Sequence, residues 1–416
     1  MAAVSTFNIL MYSHDTYGLG HIRRTMAIAN HLRDQRTNIL ILTGSPIVGR
    51  FAFPRQIDFV RIPGMIKKTN DEYRSLSIKI DDKQALSIRT NIILATAQTF
   101  KPDLFIVDKE PLGLKKEVLP TLQWLKESLP RTNIVLGLRD ILDEPRVIIE
   151  DWTEKNVYSH LNELYDEIWV YGNRDIYNPI ASYSIPEMLH ERVVFTGYIP
   201  RSEKCLNTRE KIRRRYRILP EDNFALVTVG GGGDGYEVLE RFISMHDHFP
   251  TALPIKSLLI TGPFMAKARR ESIKKRGRIH GIKTLPFHSR LEELIQAADL
   301  VISMGGYNTI CEILTQKTPA LIIPRETPRR EQLIRAQCLK TRNLIDYLPW
   351  HDVTPWTLRD KIFTILDDRA RYRAAMESFQ LTGLDTMLAR LNHLKNLHSP
   401  AVSRNRRAEQ PLHAIA

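Results

Sequence analysis

Short apolar runs bounded by polar turn residues recur along most of the chain. Asn8–Tyr12, Asn38–Leu42, Leu104–Val107, Asn133–Leu138 and Glu167–Tyr171 form one set. Ala225–Val229, Ser257–Thr261, Lys283–Leu285, Leu300–Met304 and Pro319–Ile323 form a second. Runs that are apolar without alternation predict strands covered on both faces, the habit of a parallel sheet. Helical spacing separates them: Ile22, Met26, Ala29 and Leu32 lie on one face, and Leu86–Phe100, Ser159–Tyr165, Leu291–Ala298 and Pro355–Leu366 also read as helices. Phe59–Ile62 and Val193–Phe195 are weaker strands, and polar Lys67–Ser77 is expected to be a loop over a cleft. Strand and helix alternating in this way predict an α/β protein.

Val193–Phe195 runs into Gly197-Tyr198-Ile199-Pro200 and then a stretch dense in Arg and Lys, Arg201–Arg217. A crossover there divides the chain into two Rossmann-like domains, residues 1–199 and 200–375. A terminal helix within 376–398 is expected to cross back, followed by a basic disordered tail, 399–416. The length of 416 residues suits two cores of ordinary size.

Composition narrows the classes. No apolar run is long enough to span a bilayer, and Phe7–Tyr12 is too short for a signal peptide. Cys205, Cys311 and Cys338 have no CxxC spacing, which points to a reduced, cytoplasmic setting without a zinc site. The net charge of +13 is compatible with nucleic acid, an anionic membrane surface or anionic substrates. No nucleic-acid-binding module accompanies it, so no nucleic-acid partner is expected; peripheral contact with the inner face of an anionic membrane stays a candidate. HExxH, GxSxG, the P-loop lysine motif and clustered metal ligands are absent, and His246-Asp247-His248 points its side chains to different faces of a helix. Neither a metal nor a cofactor is expected.

The candidate chemistry gathers where strands end, because ligands of open α/β sheets bind at the carboxyl edge. After the first strand, Gly18 and Gly20 precede His21 at a helix start, where a neutral imidazole can act as a base. Asp108 or Asp140, each at the end of an apolar strand, can orient it. In the second half, Gly230-Gly231-Gly232-Gly233-Asp234-Gly235 lies between a strand and a helix, and suits a backbone nest for phosphate. Gly305, Gly306, Tyr307, Asn308 and Thr309 form a similar turn, with Asn308 or Thr309 as the helix cap. Glu312 one turn on can accept hydrogen bonds from a neutral diol. Arg325 follows a strand at the same edge and is the preferred cation for a diphosphate; Arg329 and Arg330 read as surface charges or further candidates.

The order Gly-Gly-Tyr-Asn-Thr-x-x-Glu, a strand ended by Pro324, then Glu331-Gln332 followed by Arg335-Ala336, resembles the donor half of the GT-B glycosyltransferases, most closely the MurG-like family. That family transfers N-acetylglucosamine from UDP to a lipid-linked acceptor. The resemblance implies that Gly305–Thr309 hold a diphosphate and Glu312 a ribose. It puts Gln332, with Glu331 beside it, at the sugar, and Phe287 over the base. It also implies a glycine-rich loop before His21. Here the sequence is Gly-Leu-Gly-His, so Leu19 replaces one glycine of the family's terminal pair.

The expectation is a metal-independent, inverting hexosyltransferase acting on a nucleotide-sugar, a UDP-sugar foremost, and a hydroxyl acceptor, lipid-linked or small. Two other readings fit the same fold. A UDP-sugar 2-epimerase would recruit Asp108, Asp140 and Glu331, and a non-catalytic nucleotide-sugar-binding protein would be indifferent to His21.

Overall fold

The computed structural model describes residues 6–14, 20–67, 73–201, 206–249, 251 and 253–398. Gly18, Leu19, Cys205 and the basic tail lie outside the described residues. Strands β1 (Phe7–Ser13), β2 (Thr37–Thr43), β3 (Ile57–Arg61), β4 (Met65–Lys67), β5 (Tyr73–Ser75), β6 (Leu104–Asp108), β7 (Asn133–Arg139), β8 (Glu167–Tyr171) and β9 (Val193–Phe195) belong to the N-terminal half. All but β4 and β5 join one sheet in the order β3-β2-β1-β6-β7-β8-β9. Its pairings are parallel throughout. The second half adds β10 (Phe224–Thr228), β11 (Lys256–Ile260), β12 (Lys283–Leu285), β13 (Leu300–Ser303), β14 (Ala320–Ile322) and β15 (Asp346–Tyr347). They form a second parallel sheet, β12-β11-β10-β13-β14-β15.

In each sheet the first strand is central and the winding reverses beside it, between β1 and β6 and between β10 and β13. Such reversals open a crevice at the strand carboxyl ends. The apolar runs behave as unalternated strands must. Ile9 and Met11 enter one core, while Leu10 and Tyr12 enter another on the opposite face. The first core continues into the second half through Tyr198, Ile199, Tyr307 and Ile310, so the halves share buried apolar surface. Helix Gly383–His398 returns to the first domain and packs on helix Gly20–Leu32. Leu384, Met387 and Leu391 enter the shared core, Lys395 Nζ lies 2.6 Å from Asp34, and Arg390 pairs with Glu167.

The elements differ from the sequence reading in several places. The loop expected at Lys67–Ser77 is partly an antiparallel hairpin, β4 with β5, because Met65 is buried against Ala85 and Leu114. Pro145–Glu154 is a helix that the apolar pattern does not announce, since Trp152 is its one fully buried residue. His246 is buried beside Phe242, while Asp247 turns outward to Arg276 and His280.

Candidate active site

The end of β1 and the start of helix Gly20–Leu32 bring His21 to the cleft. Its Nδ1 lies 2.6 Å from Asp108 Oδ2, at the carboxyl end of the neighbouring strand β6. One helical turn on, buried Arg24 reaches both oxygens of Asp108 at 2.7 Å. This guanidinium, with the His21 hydrogen bond, holds the Asp108 carboxyl well below the usual carboxylate range despite its burial. An ionised Asp108 can only accept, so Nδ1 of His21 carries the proton and Nε2 keeps its lone pair. The 3.0 Å approach of Arg24 to Nδ1 is then a contact, not a second hydrogen bond. Burial lowers the His21 pKa to about 4, and Asp108, neutralised by Arg24, restores only part of it. The imidazole is therefore an oriented neutral base at physiological pH.

Asp140 does not share this role. Its carboxylate is bidentate with Arg335, at 2.8 and 2.7 Å, and accepts from Tyr198 at 2.9 Å. Strand β7 lies one place further from β1 than β6 does, so its terminal carboxylate faces the second domain instead. Arg335 is fully buried and also donates to Gly305 O, at 3.2 Å. The sequence carries it inside the family motif without assigning it work.

Across from His21, a cleft of about 250 Å³ is lined from the first domain by Gly20, His21, Arg23, Arg24 and Arg139. The second domain contributes Gly230, Gly231, Phe287, Gly306, Thr309, Glu312, Glu331 and Gln332, among others. Gly306 caps helix Tyr307–Gln316 by backbone alone, and a side chain there would meet nothing within 4 Å. The free amides of this helix start consequently open on the cleft. Phe287 stands half-exposed at the rim.

Several residues expected at the diphosphate are occupied otherwise. Gly305 adopts φ +78, and a Cβ would meet Ile322 at 2.7 Å, so packing requires this glycine. Gly232, with φ +84, would place a Cβ 2.1 Å from Thr261 O; neither it nor Gly233 lines the cleft, whereas Gly230 and Gly231 do. Tyr307 touches the cleft, but its ring stacks on Tyr198 at 5.9 Å and lies 5.7 Å from the Arg24 guanidinium. Asn308 caps no helix. It donates to Gly20 O at 2.9 Å and accepts from Arg201 at 2.6 Å, tying the domains together. Arg325 is outside the cleft lining and clamps Asp234 of the glycine loop and Glu331, at 2.7 and 2.6 Å. Gln332 Oε1 accepts from the Arg325 backbone at 2.9 Å, which leaves its amide nitrogen for a ligand. Buried Glu312 lies 3.0 Å from Arg23 of the first domain, so a ribose would exchange with that guanidinium.

A second cavity of about 480 Å³ opens beside the first, between the ends of β1, β6 and β7 and the loop carrying Pro328 and Arg329. His14 lines it, with its ring 5.8 Å from that of His21. No group of three or more His, Cys, Asp or Glu side chains placed to hold a metal occurs among the described residues. No helix among them is long and apolar enough to cross a membrane.

Two facing Rossmann-like sheets, with the glycine-opened helix of one opposite the histidine of the other, define the GT-B glycosyltransferase fold. Solved structures of that class superpose on nearly the whole chain. Acinetobacter baumannii MurG does so with a TM-score of 0.60, 14% identity, and 93% of this chain and 99% of that one covered. A UDP-glucosyltransferase from Polygonum tinctorium gives 0.64, also at 14% identity, covering 96% and 100%. Residues 226–390, in the second half of the chain, match the glycosyltransferase family 28 C-terminal domain. Among sequence relatives is the Halalkalibacterium halodurans UDP-N-acetylglucosamine--N-acetylmuramyl-(pentapeptide) pyrophosphoryl-undecaprenol N-acetylglucosamine transferase. It is 24% identical over 204 residues, 49% of this chain and 56% of the relative. The Shouchella clausii protein of the same name is 35% identical over 97 residues, 23% and 27% of the two chains. The chain thus aligns with about half or less of the length of these relatives.

Proposed function

We propose that the protein transfers a hexosyl group from a nucleotide-sugar, a UDP-sugar foremost, to a hydroxyl acceptor. The observation that carries this reading is the His21–Asp108–Arg24 cluster, held with its free Nε2 in the same cleft as the open helix start at Gly306 and the sugar-side Gln332. The acceptor oxygen attacks the anomeric carbon as the bond from that carbon to the diphosphate oxygen breaks. The electron pair leaves with the nucleoside diphosphate, and the acceptor proton passes to His21 Nε2. Backbone amides of Gly306–Thr309 and the helix dipole stabilise the charge on the departing diphosphate. A single displacement of this kind inverts the anomeric centre. Glu312 takes the ribose, Gln332 and Glu331 the sugar, and Phe287 covers the base. The family name and the relatives' printed names support this reading.

An epimerase is less well served. Asp140 is committed to Arg335, Asp108 to Arg24 and His21, and Glu331 to Arg325, so each of the three carboxylates it would recruit is already ion-paired.

A panel of nucleotide-sugars, followed by release of free nucleotide, tests the proposal. The expected result is slow UDP release from one donor, lost in His21→Ala and weakened in Glu312→Ala. Binding of a donor with turnover unaffected by His21→Ala would overturn the assigned base. No stabilisation by any nucleotide would remove the donor cradle altogether.

A further inference from the structure

Arg139 ends β7 and lines the cleft that holds His21. It makes no ion pair with any described residue, and its Nε is buried without a hydrogen-bond partner. The other arginines of that lining are engaged, Arg24 on Asp108 and Arg23 facing Glu312. Burial first, and then repulsion from Arg24, lower the Arg139 pKa to about 10. Nearby Arg335 adds to the repulsion. The guanidinium still carries its charge at neutral pH, and nothing described takes that charge up. An anion bound beside it relieves the cost.

Its position points to one part of the donor. The segment around the end of β7 is docked on the start of helix Glu331–Lys340. Arg330 N donates to Asp143 Oδ1 at 2.8 Å, and Arg335 donates to Asp140 Oδ1 at 2.7 Å. That helix start carries Glu331 and Gln332, the pair assigned above to the sugar. The amides assigned to the diphosphate belong to a different helix, Tyr307–Gln316. The charge of Glu331 acts on Arg139 more strongly than that of its chain neighbour Asp140, yet the two side chains make no ion pair. Glu331 Oε1 lies 2.6 Å from Arg325, and its Oε2 is buried without a hydrogen-bond partner. Gln332 Oε1 is taken by the Arg325 backbone, which leaves its amide nitrogen to donate.

The walls of the sugar pocket thus hold a spare cation, a spare amide donor and an unmatched acceptor. A neutral hexose offers hydroxyls to all three but leaves the charge of Arg139 unanswered. A hexose oxidised to the acid at C6 gives the guanidinium a planar carboxylate and keeps hydroxyls that donate to Glu331.

We propose that the donor is a nucleotide-linked hexuronic acid, with its carboxylate held by Arg139 of the first domain. This inference rests on the transferase reading above and gives it a donor class; its test separates the two.

UDP, UDP-glucose, UDP-glucuronate, UDP-galactose and UDP-galacturonate are titrated in turn into the full-length protein by calorimetry. In at least one of the two sugar pairs the acid is expected to bind about tenfold or more tighter than the neutral sugar, as a charge-assisted hydrogen bond allows. Arg139→Gln is expected to abolish that preference while changing the affinities for UDP and the neutral donor less than about twofold. Arg139→Lys should restore part of it. Thermal melts check that each variant is folded. Acid and neutral donors bound alike, or a preference that survives Arg139→Gln, would overturn the proposal and leave the transferase reading standing. Loss of UDP affinity in Arg139→Gln would assign the guanidinium to the diphosphate instead. No binding of UDP by the unaltered protein would remove the donor cradle and this inference with it.

Discussion

Three neighbours divide the work of fitting His21 for the proposed role of base. Asp108 fixes its tautomer, Arg24 cancels the carboxylate's charge, and burial keeps the ring neutral. Removing the ring in His21→Ala is expected to lower kcat by about 10²- to 10⁴-fold, the usual worth of a general base, measured as UDP release with donor saturating. Asp108→Asn keeps the shape but can offer Nδ1 a donor instead of an acceptor, so a smaller loss of kcat with donor affinity retained is expected. Because the pKa of His21 lies near 4, kcat/KM should hold as pH falls through 6.5 and decline only near that lower value. A limb at 6.5 would mean that the ring is not desolvated in the free enzyme.

The same burial links to stability. His14 and His21 are both held below the ordinary histidine value, by burial first. The unfolded chain binds their protons near pH 6.5, whereas the folded chain refuses them until lower pH. More protons are then bound unfolded, and stability falls as pH drops from about 6.5 toward 4. Urea midpoints measured between pH 7 and 5 should decline, and less steeply in a His14→Gln/His21→Gln double variant.

At the scale of elements, the two adjacent glycines after β13 separate packing from binding. Gly305 needs its left-handed backbone and has Ile322 where a Cβ would stand; Gly306 has open space. Gly305→Ala is expected to cost about 1–3 kcal/mol in urea unfolding, as strained backbone positions do. Gly306→Ala should leave the unfolding midpoint in place and weaken UDP binding, because its Cβ projects into the space opposite the helix amides. Equal effects of the two variants on stability would contradict this division. The glycine loop after β10 follows the same logic, with Gly232 serving the Thr261–Gly262 backbone and Gly230 and Gly231 the cleft.

At the scale of the molecule, the cleft is held by buried contacts between domains. Asp140–Arg335 is the deepest, and Asn308 spans from Gly20 to Arg201 beside it. Arg335→Met strands a buried carboxylate and is expected to cost about 3–5 kcal/mol. Pairing it with Asp140→Leu should recover much of that loss, since no lone charge then remains buried. Unfolding midpoints of the two single variants and the double variant decide this, and solution scattering would register any opening between the domains.

The sequence alone determined the α/β class, the glycine turns and the edge at which ligands bind, because these follow from local apolar runs and backbone freedom at short range. The GT-B likeness was legible for the same reason: Gly305–Thr309, Glu312 and Gln332 lie within one local unit. Only the tertiary structure decided which charges meet. Asp108 and Asp140 look alike at the ends of two apolar strands, yet β6 is the direct neighbour of β1 and β7 is one place beyond it. That order gives His21 to Asp108 and Asp140 to Arg335. Arg325 and Arg139 are likewise both arginines at strand ends. Asp234, 91 residues from Arg325, takes up the first, while nothing described pairs with the second. Pairings across such separations depend on sheet order and domain docking, which no local pattern of residues encodes.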